Sequence, residues 1–205
     1  NKCQLSVHAM GTNAIKRVVD RVYAEKDWLN QDRPYVRVEH ITLPSQDSIN
    51  KSVEKNIGFV TQPIFLYAEI ESYLQNLGED IMKKCYPIKS LLEQKVNLCF
   101  STDAPATSWA VPSDPFVCIK GAVTRKAYDN TDCGDDQIID MKTAIILYTK
   151  KSAQIAGFKN LGQLKIGYKA NFITLDRDIF AINPQDVDKV KVNKTYINGK
   201  CVFAR

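Results

Sequence analysis

What most narrows the fold of this chain is a strand-like run leading into a helix, met four times between Gln4 and Lys126. Gln4-Leu5-Ser6-Val7-His8 passes Gly11 into a stretch from Asn13 to Lys26. There Ile15, Val18, Val19, Val22 and Tyr23 fall at helical spacing on one apolar stripe. Tyr35 to His40 is the second run, followed by Pro44 and Ser45, an N-cap that opens a helix to about Lys55. The third, Ile57-Gly58-Phe59-Val60-Thr61, continues through a long connection bearing Phe65, Tyr67 and Tyr73 to Pro87 and a helix to about Gln94. The fourth, Val96-Asn97-Leu98-Cys99-Phe100, is apolar at nearly every residue, as a strand buried on both faces requires. Asp114 as N-cap with Pro115 at the first helical position then starts a helix reaching about Lys126. Such alternation predicts an α/β protein with a parallel sheet.

Beyond Gly134 the pattern changes. A helical stretch from about Gln137 to Ala156 closes at Gly157, and β-rich segments follow at Ala170 to Leu175 and Val190 to Phe203, the latter turned by the hairpin signal Asn198-Gly199. The expected boundary lies near residue 160, dividing 1–160 from 161–205. A length of 205 residues, 44% of them hydrophobic and 25% charged, suits one domain with a small appendage and excludes disorder and collagen. No apolar run approaches the ~18 to 20 residues of a spanning helix, so no membrane partner is expected. The net charge of +5 comes from 28 basic and 23 acidic residues. The lysines are dispersed, so the clustered stripe of a nucleic-acid binder is missing and no such partner is expected. Six cysteines show no C-x-x-C pair and no close spacing to a histidine. They read as reduced or buried thiols, from which a cytoplasmic location is the expectation.

The chain has two histidines, and both stand at the C-terminal end of an expected parallel strand: His8 after the first, His40 after the second. Asp103 occupies the corresponding place after the fourth. In barrels and open α/β sheets this edge carries the active site. Two imidazoles and a carboxylate converging there suit zinc and its first-row neighbours. Either histidine taken alone reads more readily as a hydrogen-bonded structural residue; the equivalent positions of both with Asp103 bring the metal reading level with it, and both readings stand at this point.

The segments Val7-His8-Ala9-Met10-Gly11, Arg37-Val38-Glu39-His40, Ser101-Thr102-Asp103-Ala104-Pro105, Asp114-Pro115-Phe116 and Ala122-Val123-Thr124-Arg125 resemble the amidohydrolase superfamily, and within it the YtcJ-like amidohydrolase family 3. Gly162 to Asp178 and Thr195 to Lys200 are similar to the same family, so the likeness runs in order from residue 3 to residue 203. The resemblance implies the second half of a (β/α)8 TIM-type barrel, strands five to eight, followed by the C-terminal strands of a small β-sandwich. It implies a metal-dependent hydrolase of carbon-nitrogen bonds other than peptide bonds, acting on a small amide-like substrate through metal-activated water. The implied cofactor is a divalent metal, expected to be zinc, one or two ions in the intact protein. Carried over by motif, His8 and His40 are metal ligands. Asp103 is both ligand and catalytic proton carrier, and Glu39 is a candidate for orienting an imidazole.

Arg125 is a candidate for binding a substrate anion or for locking the helix after the fourth strand, and Trp109, Phe65 and Tyr67 are candidates for lining the pocket. Thr12 stands where the family carries Asp, with capping of the following helix as its remaining expected role. The family's His-x-His motif is absent. The expectation is therefore a C-terminal portion that is inactive alone, completed by the N-terminal half of the same chain, with unpaired strand edges that favour self-association. A non-catalytic α/β interaction domain retaining the fold is the alternative.

Overall fold

The computed structural model describes residues 3–29, 31–105 and 113–205. Four parallel strands form one sheet in sequential order: β1 (Leu5–Ala9), β2 (Val36–His40), β3 (Gly58–Thr61) and β4 (Leu98–Phe100). The helices between them are α1 (Thr12–Tyr23), α2 (Gln46–Glu54), α3 (Pro63–Ala68), α4 (Ile70–Leu77), α5 (Glu79–Met82) and α6 (Ile88–Glu93). Local signals mark their ends. Ser45 accepts a hydrogen bond from Ser48 N at the start of α2. Asp114 does the same from Phe116 N, with Pro115 in the first turn, for α7 (Pro115–Thr124).

Register decides which face each side chain takes. Val7, Val38, Phe59 and Leu98 are aligned across the sheet, and they share one core with Ile15, Val19 and Val22 of α1, Ile49 of α2, and Ile88 and Leu91 of α6. On the opposite face the aligned residues are Ser6 with Arg37, His8 with Glu39, and Glu39 with Val60 and Cys99 in turn. A parallel sheet is ordinarily apolar on both faces. Here, among the described residues, Val60, Cys99 and Ile155 form an apolar cluster on the second face, beside the polar Ser6, His8, Arg37 and Glu39.

Three segments differ from expectation. The stretch after β3 is helical, as α3, α4 and α5, and every residue of α3 is buried, so no amphipathic stripe announces it. The expected helix from Gln137 is instead a 3-10 turn at Asp135–Gln137, then α8 (Met141–Ile146) capped by Asp140, a π turn at Leu147–Lys151, and α9 (Ser152–Ala156). Ser152 Oγ donates both to Leu147 O at 2.8 Å and to Phe100 O at 2.9 Å, which joins the helix to the end of β4. Gly157 closes α9 at φ 76°. The third difference lies in residues 179–190: Ile179, Val187 and Val190 are buried in the core of the parallel sheet and its helices, and Asp188 pairs with Lys120 of α7 at 2.9 Å.

Strands β5 (Phe172–Leu175), β6 (Val192–Ile197) and β7 (Lys200–Ala204) form a separate antiparallel sheet. Its hairpin turns at Asn198 and Gly199, with φ 50° and 78°, the left-handed pair of a type I′ turn. No helix of the described residues is long and apolar enough to cross a membrane, and all six cysteines are free thiols.

Candidate functional site

Both histidines and Asp103 reach one cleft at the C-terminal edge of the parallel sheet. It holds about 740 Å³ and is lined by Ser6, His8, Arg37, Glu39, His40 and Asp103, among others. His8 enters directly, because its strand position lies on the polar face. His40 reaches it by backbone strain. Alternation would turn a residue after Glu39 toward the helices, but His40 and Ile41 both adopt left-handed φ, 75° and 54°. The turn brings the His40 ring edge-on to His8, with centroids 4.3 Å apart. For a β-branched residue such as Ile41 this conformation is a true outlier, and it costs on the order of 1–3 kcal/mol. Asp103 shares it, at φ 57°. Three strained residues at one rim fit the tendency of such strain to collect at working sites.

His40 is 5% exposed, and its Nε2 lies 3.9 Å from Asp103 Oδ2. The Phe65 ring backs it at 5.6 Å. Burial, and next the neighbouring His8, hold its imidazole below the usual histidine range; Asp103, Glu39 and the nearby Gln62 side chain act in the opposite direction. The neutral ring keeps a lone pair free for a metal. His40 Nδ1 is buried without a hydrogen-bond partner among the described residues. Asp103 is the more open of the pair, with 40% of its side chain exposed.

These donors fit a divalent cation in type and position: neutral imidazole and carboxylate oxygen at one rim. They do not close a shell. Among the described residues no group of three or more His, Cys, Asp or Glu side chains is placed to hold a metal ion.

The other expected residues fall variously. Glu39 accepts from Ser6 Oγ at 2.7 Å and pairs with Arg37 Nε at 2.8 Å, so the bonds holding it run across the cleft floor and not to an imidazole. Thr12 does not cap α1. Gly11 is the N-cap, and the Thr12 hydroxyl donates to Leu43 O at 2.8 Å, tying the start of α1 to the loop beyond His40. Phe65 and Tyr67 are buried in α3, outside the cleft lining. Trp109 lies outside the described residues.

Arg125 is a candidate for a substrate anion or for locking the helix after the fourth strand. It is 1% exposed and stands away from the cleft. Its guanidinium donates to the carbonyls of Gly134 at 3.0 Å, Tyr86 at 3.2 Å, Lys83 at 3.4 Å, Cys85 at 3.0 Å and Cys133. Two cleft residues had no sequence signal. Tyr148 and Ser152 line the cleft from the π turn and its junction with α9, a distortion that ordinary helix-forming residues do not announce. Burial pushes the Tyr148 phenol up to about 12.

Residues 1–203 match the model of the amidohydrolase family. The chain belongs to that family. YtcJ of Bacillus subtilis (strain 168), named as an amidohydrolase, is 29% identical over 206 residues, covering 98% of this chain and 38% of the relative. The N-substituted formamide deformylase of Arthrobacter pascens is 24% identical over 204 residues, 98% of this chain and 36% of that protein. Among solved structures, an uncharacterized metal-dependent hydrolase from Pyrococcus horikoshii OT3 superposes with a TM-score of 0.72 at 28% identity, covering 88% of this chain and 35% of that one. The amidohydrolase chain described here thus spans a little over a third of the length of the curated relatives it matches.

Proposed function

We propose that this chain carries part of the active site of a metal-dependent hydrolase that cleaves carbon-nitrogen bonds, other than peptide bonds, in small amide-like molecules. The observation that carries this reading is the convergence of His8, His40 and Asp103 on one cleft through three strained backbone positions. A divalent cation held at such a rim, zinc by its donor set, polarises a substrate carbonyl and makes water acidic near neutral pH. His8 and His40 would hold the cation through imidazole nitrogens. Asp103 takes a proton from the attacking water and returns it to the leaving nitrogen, and its exposed carboxylate leaves room for both transfers. Phe65 and the buried wall behind His40 keep water off the ligand ring.

In this reading β1 to β4 are strands five to eight of an eight-stranded barrel, with residues 1–160 and the returning segment 179–190 in the barrel and β5 to β7 contributing strands to a β-sandwich. The polar second face of the sheet supports it, because Ser6, His8, Arg37 and Glu39 then face a barrel interior. So does the exposed β1 edge, with Leu5 47% exposed. The remaining ligands come from outside these 205 residues, and the chain alone is incomplete as a catalyst.

Metal analysis of the intact protein tests the ligand set. Changing His8 and His40 together to Ala is expected to weaken zinc binding by more than the roughly 10- to 100-fold that loss of a mere supporting residue costs. Unchanged zinc affinity in a folded double variant, or steady metal-dependent turnover by the 205-residue chain alone, would contradict the reading.

A further inference from the structure

Two buried polar atoms without partners lie at the same strand end, and they are chemically complementary. One is His40 Nδ1, at the end of β2; the other is Gln62 Oε1, in the residue that follows β3. Glu39 and Val60 are register partners at the ends of neighbouring strands, and the Gln62 side chain reaches the His40 imidazole. Gln62 is 1% exposed, and leaving its carbonyl unpaired there is costly.

Which end of the amide faces His40 follows from its other contacts. Gln62 Nε2 donates to Ser101 Oγ at 2.9 Å and lies 3.5 Å from the Val60 carbonyl. A hydroxyl accepts either end of an amide, but a carbonyl oxygen accepts only N–H. Flipping the side chain would set Gln62 Oε1 against Val60 O, two acceptors with no proton between them. The amide oxygen therefore faces away from Val60 and is left for His40.

Resting on the reading that His40 is a metal ligand, we infer that Gln62 is its positioning residue: the Gln62 amide oxygen accepts the Nδ1 proton of His40, fixing the tautomer that presents a bare Nε2 to the cleft. Nε2 is the nitrogen that lies 3.9 Å from Asp103 Oδ2, so the fixed lone pair points where the second donor stands. The bond from Gln62 to Ser101 then ties the ligand of β2 to the segment between β4 and Asp103. One amide thereby couples the two donors across β3. A ligand imidazole needs such a partner on its other nitrogen to hold both its orientation and its basicity.

The test uses the intact protein, with variants Gln62→Met, Gln62→Glu, Ser101→Ala and His40→Ala, zinc as the probe, and two readouts. The first is the His40 tautomer in the metal-free protein, read by long-range proton–nitrogen NMR with the His40→Ala spectrum for assignment. The second is zinc affinity by competition with a chelator. In the parent the proton is expected on Nδ1. Gln62→Met, which keeps the length and removes the acceptor, is expected to abolish that preference and weaken zinc binding about 10- to 100-fold. Gln62→Glu restores an acceptor for Nδ1 but sets a second carboxylate oxygen against Val60 O. It is therefore expected to recover the tautomer preference and only part of the zinc affinity; a Glu variant with no tautomer preference would count against the inference. A parent protonated on Nε2, or a folded Gln62→Met protein with parental tautomer and affinity, would overturn the inference. Should Gln62→Met not fold, the parent tautomer and Ser101→Ala decide it: freeing the amide is expected to weaken the preference, and no change overturns the assignment. The ligand reading fails separately, if His40→Ala leaves zinc affinity at the parental level.

Discussion

Asp103→Asn is expected to lower kcat of the intact protein on an amide substrate by about 10²- to 10⁴-fold, the range over which a positioned proton carrier contributes. The substitution isolates that role. Asn has nearly the shape of Asp and tolerates the left-handed φ of 57° found here, and with 40% of the side chain exposed no core packing is disturbed. The change removes the ability to take a proton, one charge beside His40 and one carboxylate donor at the metal rim. Zinc affinity falls less than kcat, since the imidazoles remain. A steady-state assay beside an unfolding curve checks this. A kcat within a few fold of the parent would remove Asp103 from the chemistry and leave it a rim residue.

Arg125→Met is expected to destabilise the protein by about 4 kcal/mol or more, with KM of the surviving enzyme unchanged. Five carbonyls, those of Lys83, Cys85, Tyr86, Cys133 and Gly134, converge on the guanidinium, and among the described residues no carboxylate forms an ion pair with it. Burial opposes its charge; the carbonyl dipoles offset that cost. Removing the side chain leaves the oxygens of Lys83, Cys85 and Cys133 without that donor, while those of Tyr86 and Gly134 keep bonds from Ile88 N and Gln137 N. Lysine recovers little, since three donors on one atom cannot span a ring of acceptors that a planar fork with five reaches. The neighbouring backbone has no room to adjust. A Cβ at Gly134, φ 91°, would stand 2.6 Å from Lys83 O, one of the same acceptors. Urea unfolding measures the loss. A shift below about 1 kcal/mol accompanied by a raised KM would return Arg125 to the substrate-binding role that its motif position also allows.

The parts of the site legible in the sequence were those that chain order alone determines. Strand and helix alternation sets which strand end each residue occupies, so His8, His40 and Asp103 could be grouped without any distance. Ser45, Asp114 and the Asn198-Gly199 turn were equally legible, because each acts on backbone within three residues of itself. What was hidden depends on contacts far along the chain. Helix α3 is buried on every side and so lacks a stripe. The π turn ends beside Ser152, whose hydroxyl bonds to Phe100 O, 52 residues away. Arg125 belongs to a residue type almost never fully buried, and nothing in its sequence surroundings shows that five distant carbonyls await it. Gln62 carries no motif and is recognised only from what its amide faces. Thr12 was placed one residue out of role, since the cap position falls to Gly11 and the hydroxyl serves a neighbouring loop.

The amidohydrolase reading requires that the two histidines share one ion. Anomalous diffraction at the zinc edge, from crystals of the intact protein grown with zinc, tests that most directly. The account predicts a peak about 2.0–2.1 Å from a ring nitrogen of His8 and from Nε2 of His40, with the Asp103 carboxylate turned toward it. A peak elsewhere, or both imidazoles engaged only by protein groups in a zinc-loaded crystal, would contradict it.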